Sequence, residues 1–511
     1  MDEVYDLCVI GGGINGAGIA RDAAGRGLSV LLVEAKDIAQ GTSSASTKLV
    51  HGGLRYLEFF EFKLVREALK ERERLLSMAP HIISPMRFIL PYERKAAGRP
   101  YWMMKLGLFL YDHLARRKRV EGSKTLDYKK DDTIFAGLKD LYKQGFSYYD
   151  CWVDDARLVL LNAVDAQERG AKILTHTRCA KIEEGEDLWR VTLESDAQVG
   201  KTPKKKTISA SMVVNAAGPW VNDVLRESGY ADNVPSIRHV KGSHLIIPKA
   251  FEGDHSYILT QEDGRIVFAI PYEDKYTLIG TTEEAYEGDL YDVHISNDEI
   301  KYLCNAFSSH FKTEISVKDV LWTYSGVRPL FDDGRKESRK VSRDFVLHRH
   351  KDARLPLLSV YGGKLTTYRV LAEKAVNSLL HLDSRYVNPW TDTQALPGGE
   401  FDGGELSNFM AEQRRVYPWL PETLLYRYAR SYGTRMDRFL GQAQSLKDLG
   451  RNYGGDIYEA ELAYMVRYEF VRDLEDALYR RSKLGLHMLD ETFEALRAAW
   501  PDIVKKANKE E

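Results

Sequence analysis

The stretch most restrictive of this chain's fold is residues 6–34, DLCVIGGGINGAGIARDAAGRGLSVLLVE. An apolar run ending at Ile10 suits a buried strand, and Gly11-x-Gly13-x-x-Gly16 follows at once. A small-residue helix comes next, and a second apolar run ends on Glu34. Gly11 permits the tight turn, Gly13 lets backbone N–H groups approach a pyrophosphate, and Gly16 lets helix and strand pack closely. The helix N-terminus turns its dipole toward the phosphates. An acid about 20 residues beyond the fingerprint is placed to accept from the ribose hydroxyls, and Glu34 stands there. Strand, glycines, helix and acid in this order predict a bound dinucleotide, and the position at the start of the chain favours FAD over NAD.

At 511 residues the chain should hold more than one domain. Lys plus Arg (73) nearly balances Asp plus Glu (75), so nothing in the charge points to nucleic acid. Cys8, Cys151, Cys179 and Cys304 lack metal-site or disulfide spacing, which fits a reducing cytoplasm and predicts no metal site. The acidic N-terminus is unlike a signal peptide. No apolar run approaches the ~20 residues of a membrane span, which predicts a soluble or surface-bound protein.

Downstream, a polar loop over 40–48 offers the hydroxyls of Thr42, Ser43 and Ser44 and the ammonium of Lys48 to phosphate or flavin edges. Leu49 and His51 follow it, and Phe62, Val65, Leu69 and Leu76 then keep helical spacing. Residues 101–119 crowd aromatic and aliphatic side chains ahead of Arg116, Arg117, Lys118 and Arg119. They fit either an interfacial segment, rings in the headgroups and cations on anionic lipid, or a core helix with a solvated basic tail. Lys201, Lys204, Lys205 and Lys206 around Pro203 read as a solvent-facing hairpin turn. Residues 212–220 read as a second strand whose end, at Gly218, approaches the dinucleotide. Segments over 234–320 alternate with period two and predict an antiparallel sheet. Strand-then-glycine returns at Gly362 and Gly363, with a helix from about Thr366. A Gly- and Pro-rich linker over 396–404 precedes a helical remainder.

Three glycine turns at strand ends can line one site, because ligands of parallel sheets bind at the carboxyl ends of strands. Arg55, Arg328 and Lys364 sit beside such turns, a grouping that suits a phosphate or carboxylate. His51 and His244 are candidate proton carriers. No nucleophile elbow or HExxH is present, so the chemistry is expected from the cofactor.

Ile10-Gly-Gly-Gly-Ile-Asn-Gly-Ala-Gly-Ile-Ala-Arg-Asp-Ala-Ala-Gly-Arg-Gly27, Thr42-Ser-Ser-Ala-Ser-Thr-Lys-Leu-Val-His-Gly-Gly-Leu-Arg-Tyr56, Trp322-Thr-Tyr-Ser-Gly-Val-Arg-Pro329 and Tyr361-Gly-Gly-Lys-Leu-Thr-Thr-Tyr-Arg369 resemble the aerobic FAD-dependent glycerol-3-phosphate dehydrogenase family, within the D-amino-acid-oxidase-like flavoproteins. The helical tail, with Asp473-Leu-Glu-Asp-Ala-Leu-Tyr-Arg-Arg481, resembles that family's C-terminal domain. The resemblance implies an α/β fold: a Rossmann-type FAD-binding domain (1–85, 150–233 and 321–385), an inserted antiparallel-sheet substrate or cap domain (86–149 and 234–320), and an all-helical C-terminal domain (396–511). It implies non-covalent FAD and oxidation of sn-glycerol 3-phosphate to dihydroxyacetone phosphate, with hydride passing from C2 to flavin N5. Electrons would go on to membrane quinone from an enzyme held peripherally on the anionic inner face of the cell membrane, with a homodimer as a further expectation.

By the same resemblance Arg55, Tyr56 and Lys364 would contact the phosphate, and Arg328 would lie near the C2 hydroxyl. The catalytic candidates are Arg328, His51, His244 and Lys364. Cofactor contacts are expected from Gly11, Gly13, Ile14, Asn15, Gly16, Glu34, Thr42, Ser43, Ser44, Lys48, Leu49, His51, Gly218, Gly363, Lys364, Leu365 and Thr366. The helix beginning near Thr366 would point its N-terminus at the flavin pyrimidine edge. Two alternatives stay open: an oxidase returning electrons to oxygen as hydrogen peroxide, and a non-catalytic escort that keeps the dinucleotide fold.

Overall fold

The computed structural model describes residues 3–94, 98–195, 204–230, 234–331, 345–380, 388–401 and 404–509. Apolar runs buried on both faces make a parallel core. Val4–Ile10 lies between Val30–Val33 and Lys205–Asn215, and Leu357–Tyr361 continues the sheet beyond the latter. Lys172–Leu174 extends the other side, and the antiparallel strands Thr177–Glu184, Trp189–Ser195 and Val346–Arg349 complete eight strands. The carboxyl ends of Val4–Ile10, Lys205–Asn215 and Leu357–Tyr361 thus lie side by side, which brings all three glycine turns to one edge. Helices Ile14–Gly25, Asp155–Glu168 and Tyr368–Leu379 cover one face of this sheet.

A second, ten-stranded sheet, largely antiparallel, is built around Ile237–Pro248, which pairs with Tyr276–Gly280 and along its length with Trp322–Phe331. Ile83–Tyr92 and Gln144–Val153 carry the sheet toward Leu49–Val50, next to the dinucleotide loop. The period-two pattern over 234–320 thus folds as antiparallel strands as far as Ala285, and helix Asn297–Ser308 departs from it. Helix Phe62–Met78 buries Val65, Leu69 and Leu76 on its inner face, while Phe62 at its start is exposed.

Residues 404–509 are helical by α, 3₁₀ and π turns around their own core of Tyr428, Tyr432, Leu462, Met465 and Leu478. Lys205 and Lys206 pair with Glu194 and Glu3 on the strand side of their hairpin. Lys201 and Pro203 lie outside the described residues. Among the described residues no helix is long and apolar enough to cross a membrane.

Candidate dinucleotide and substrate site

The fingerprint glycines are dictated by close approach. Gly11 has φ +108°, and a Cβ on it would lie 2.5 Å from the Ala216 carbonyl oxygen at the end of the neighbouring strand. A Cβ on Gly16 would lie 1.9 Å from the Gly11 carbonyl oxygen. Gly12, which the motif does not require, is equally confined: its Cβ would meet Ile38 at 2.8 Å and Glu34 at 2.9 Å. Gly13 is extended and caps helix Ile14–Gly25 without a side-chain bond, so the first turn keeps amides without intrahelical partners, the feature of an anion site. The Ile14 N–H donates to Ser43 Oγ at 3.0 Å. Asn15 Nδ2 donates to the Gly362 carbonyl at 3.0 Å, which ties the first glycine turn to the third.

Glu34 accepts from the Gly12 N–H at 2.6 Å through one oxygen and from the Lys36 N–H at 2.8 Å through the other. Burial pushes its carboxyl above the ordinary range against these two bonds. The loop after it is cross-braced. Thr42 Oγ1 donates to the Val327 carbonyl at 2.6 Å, Ser46 Oγ to Asp155 at 2.7 Å, and buried Lys48 Nζ to Asp155 at 2.8 Å. The charge of Lys48 is therefore neutralised inside the fold, and its side chain also reaches the Ser44 carbonyl.

A cavity of about 1220 Å³ runs from this cradle into the second sheet. Gly13, Ile14, Asn15, Thr42, Ser43, Leu49, His51, Gly218, Gly363, Lys364, Leu365 and Thr366 line it, together with Arg55, Tyr56 and Arg328. Gly11, Gly16, Glu34, Ser44, Lys48 and His244 are not among its lining residues. The cations arrive from three segments. Arg55 and Tyr56 ride the 3₁₀ segment Leu54–Phe59, entered through left-handed Gly53; Arg328 comes from strand Trp322–Phe331 opposite Val240; Lys364 caps the turn Leu365–Thr367. The Lys364 ammonium lies 4.1 Å from the centre of the Tyr56 ring.

The two histidines differ. The His51 backbone N–H donates to Thr366 Oγ1 at 3.2 Å and the residue lines the cavity. His244 is buried and stacked on Tyr324, with Nε2 3.0 Å from Thr47 Oγ1. Burial, reinforced by Arg328 and Lys48, holds its pKa well below the usual imidazole value, so it is neutral at physiological pH. Thr47, which lines the cavity, links it to that space.

Asp150 was not foreseen from the sequence. It lines the cavity, and its carboxylate accepts from Tyr111 Oη at 2.7 Å, Arg72 at 3.0 Å and the Gly52 N–H at 3.2 Å, fixing the turn that carries Arg55. The available signal was a lone acid within the aromatic strand Gln144–Val153.

The glycine cradle, the helix N-terminus, the half-buried Glu34 bonded to the Gly12 N–H and a large cavity lined by Arg55, Arg328 and Lys364 fit a flavin dinucleotide with a small anion beside it. Residues 6–369 match the family model described as FAD dependent oxidoreductase. Residues 389–509 match the C-terminal domain of alpha-glycerophosphate oxidase. The D-erythritol 1-phosphate dehydrogenase of Brucella abortus is 49% identical, over 99% of this chain and 99% of that protein. The aerobic glycerol-3-phosphate dehydrogenase of Escherichia coli is 49% identical, over 95% of both chains. The structure of the glycerol-3-phosphate dehydrogenase from Bacillus halodurans complexed with FAD superimposes with a TM-score of 0.78 at 27% identity, covering 99% of this chain and 91% of that one. The chain belongs to the FAD dependent oxidoreductase family.

Proposed function

We propose that this protein oxidises sn-glycerol 3-phosphate to dihydroxyacetone phosphate. The carrying observation is the convergence of Arg55, Arg328 and Lys364 from three segments on one cavity beside the glycine turns. Arg55 and Lys364 bind the phosphate, with the Tyr56 ring under Lys364 orienting the ammonium. Arg328 cannot act as a base, because guanidinium stays protonated. It is directed to the C2 oxygen, where it stabilises negative charge as the C–H bond breaks. His51, on the cavity wall, receives the hydroxyl proton, whereas His244, held neutral by burial and by the Arg328 and Lys48 charges, is not its acceptor. FAD, when bound, supplies the hydride acceptor and the onward route for two electrons.

The onward acceptor we assign is a membrane quinone, met at the inner face of the cell membrane by a peripherally bound enzyme. Support comes from the apolar rim of the cavity, where Phe60, Phe62, Met103, Leu106 and Leu110 are all exposed. A groove lined by Arg66, Lys70, His113, Arg116 and Arg117 lies beside this rim and suits anionic headgroups. A homodimer completes the reading, checked by sedimentation.

The 49% identity to the Brucella protein over 99% of both chains favours a second reading, a polyol phosphate one carbon longer. Anaerobic mixing with each substrate while the flavin absorbance is followed tests both. Rapid bleaching by glycerol 3-phosphate alone supports the first and bleaching by erythritol 1-phosphate alone the second. Stoichiometric hydrogen peroxide in air would convert either into an oxidase.

A further inference from the structure

The C-terminal helical domain contacts the cofactor site from behind through the π-helical turn Asp476–Arg481 and the residues just after it. Arg481 is 1% exposed, and its guanidinium forks onto fully buried Asp37 with contacts of 2.6 and 2.7 Å. It also donates to the Glu469 carbonyl at 2.9 Å. Arg480 Nε reaches the same Asp37 carboxylate at 2.6 Å. Lys483 pairs with Asp154.

Each acid governs a different piece of the cofactor cradle. Asp37 heads the turn 37–40, in which the Ala39 N–H donates to the Gly12 carbonyl at 3.1 Å, behind the first glycine turn. Asp154 caps helix Asp155–Glu168 by accepting from the Arg157 N–H, and the next residue, Asp155, holds Ser46 and Lys48 of the loop that lines the cavity. The two ends of this loop are left-handed non-glycines, Ala39 at φ 68° and Lys48 at φ 59°. Such residues persist only where surrounding contacts over-determine the backbone. At Ala39 they are its own bond to the Gly12 carbonyl and the turn closed by the Gln40 N–H on the Asp37 carbonyl, and at Lys48 they are the bonds to Ser46 and Asp155.

We propose that the C-terminal domain is a clamp on the FAD cradle: Arg480, Arg481 and Lys483 are positioning residues that hold the turn 37–40 and the loop 42–48 ready for the dinucleotide. This rests on FAD binding alone and is independent of which phosphate is oxidised. Coupling is reciprocal, so FAD must tighten the docking of residues 469–483 by the factor by which that docking tightens FAD.

The test uses the full chain and measures FAD affinity by equilibrium dialysis, unfolding of the apoprotein, and hydrogen exchange with and without FAD. Arg481→Met and Asp37→Asn should weaken FAD binding by a factor on the order of 5–150, the usual span of such coupling. Arg481→Lys should restore part of it. Arg435→Met breaks another interdomain pair, with Glu168 at the far end of the same helix. It should lower apoprotein stability and leave FAD affinity unchanged. Exchange across 469–483 should slow when FAD is added. The proposal is overturned if Arg481→Met lowers stability while binding FAD like wild type, or if exchange across 469–483 is blind to FAD. Should Arg481→Met not fold, Lys483→Met and the wild-type exchange measurement decide. A wild-type protein that takes up no FAD overturns both this inference and the proposed oxidation.

Discussion

The Lys364 ammonium lies 4.1 Å from the centre of the Tyr56 ring, joining the third glycine turn to the 3₁₀ segment that carries Arg55. The aromatic face holds the cation without neutralising it, so its charge is left for a substrate anion. A carboxylate in that position would have offset the charge, as Asp155 does for Lys48.

Lys364→Met should therefore raise KM for glycerol 3-phosphate, because a charge-assisted contact to phosphate contributes about 1.5–3 kcal/mol. That corresponds to about 10- to 150-fold in kcat/KM. Tyr56→Phe keeps the ring face and should have little effect, whereas Tyr56→Leu should approach the Lys364 variant. Steady-state kinetics checks this; equal losses for Tyr56→Phe and Tyr56→Leu would assign the effect to the hydroxyl and remove the ring–cation argument.

Arg328→Ala should lower kcat with a smaller change in KM, the pattern of a contact stronger in the transition state than in the ground state. A rise in KM at unchanged kcat would make Arg328 a simple phosphate ligand. Single-turnover flavin reduction separates the two outcomes.

The fingerprint variants should rank by what a new Cβ meets. Gly16→Ala meets backbone at 1.9 Å and should yield protein without flavin. Gly12→Ala meets the Glu34 and Ile38 side chains at 2.8–3.0 Å and should retain a reduced flavin content. Gly13→Ala meets only Ser43 Oγ at 3.1 Å and should be the mildest in the absence of dinucleotide. Flavin-to-protein absorbance ratios and apoprotein melting give the order, and a Gly13→Ala apoprotein less stable than Gly16→Ala would contradict the packing.

Much of the site was legible because its signals are local. Strand, glycine turn and helix follow one another within 6–34, and each later glycine turn also ends an apolar run. What was not legible depends on partners far away in the chain. Nothing near Lys48 announces Asp155, nothing near Asp37 announces Arg481, and nothing near Gly52 announces Asp150. The aromatic helix shows the same limit. Its composition crowds apolar side chains without telling its faces apart: Leu108 is buried against the second sheet, whereas Leu106 is exposed. Which face turns inward was decided by Tyr111 bonding to Asp150, a contact between segments.

Acid should destabilise the fold in a way that can be assigned. Burial, with Arg157 adding to it, pushes the His81 imidazole down to about 3. Between the ordinary value of about 6.5 and that folded value, the unfolded chain binds a proton that the folded chain refuses. Stability is then complete above the unfolded pKa and falls as pH drops, by up to about 1.4 kcal/mol per pH unit for this residue. His244 acts in the same direction. His81→Leu should flatten the slope of urea-unfolding free energy between pH 6 and pH 4 by close to one proton. An unchanged slope would mean that His81 is protonated in the fold.

The last prediction concerns the proposed membrane attachment. Helix Tyr101–His113 buries Leu108 and Tyr111, while Trp102, Met103, Leu106, Phe109 and Leu110 are 38–63% exposed. Residues at 102, 106, 109 and 110 fall on one stripe of a helix. Phe59 and Phe60, 44% and 77% exposed, extend this surface from the neighbouring 3₁₀ segment. Insertion of such side chains contributes roughly 25 cal/mol per Å² of apolar surface removed from water, insensitive to salt. The flanking cations contribute about 1 kcal/mol each near an anionic surface and are screened by salt. Arg117 pairs with Asp112 and Arg119 donates to the Gly404 carbonyl, so the cations suited to a clean test are Arg66, Lys70 and Arg116. Replacing those three with Gln should release the protein from anionic vesicles in moderate salt and have little effect on neutral ones. The triple change Trp102→Ser, Leu106→Ser and Phe109→Ser should weaken binding to both. In each case turnover with a soluble dye should persist and quinone-linked turnover on vesicles should fall. Sedimentation of the serine variant with vesicles at wild-type levels would show that this stripe does not enter the bilayer.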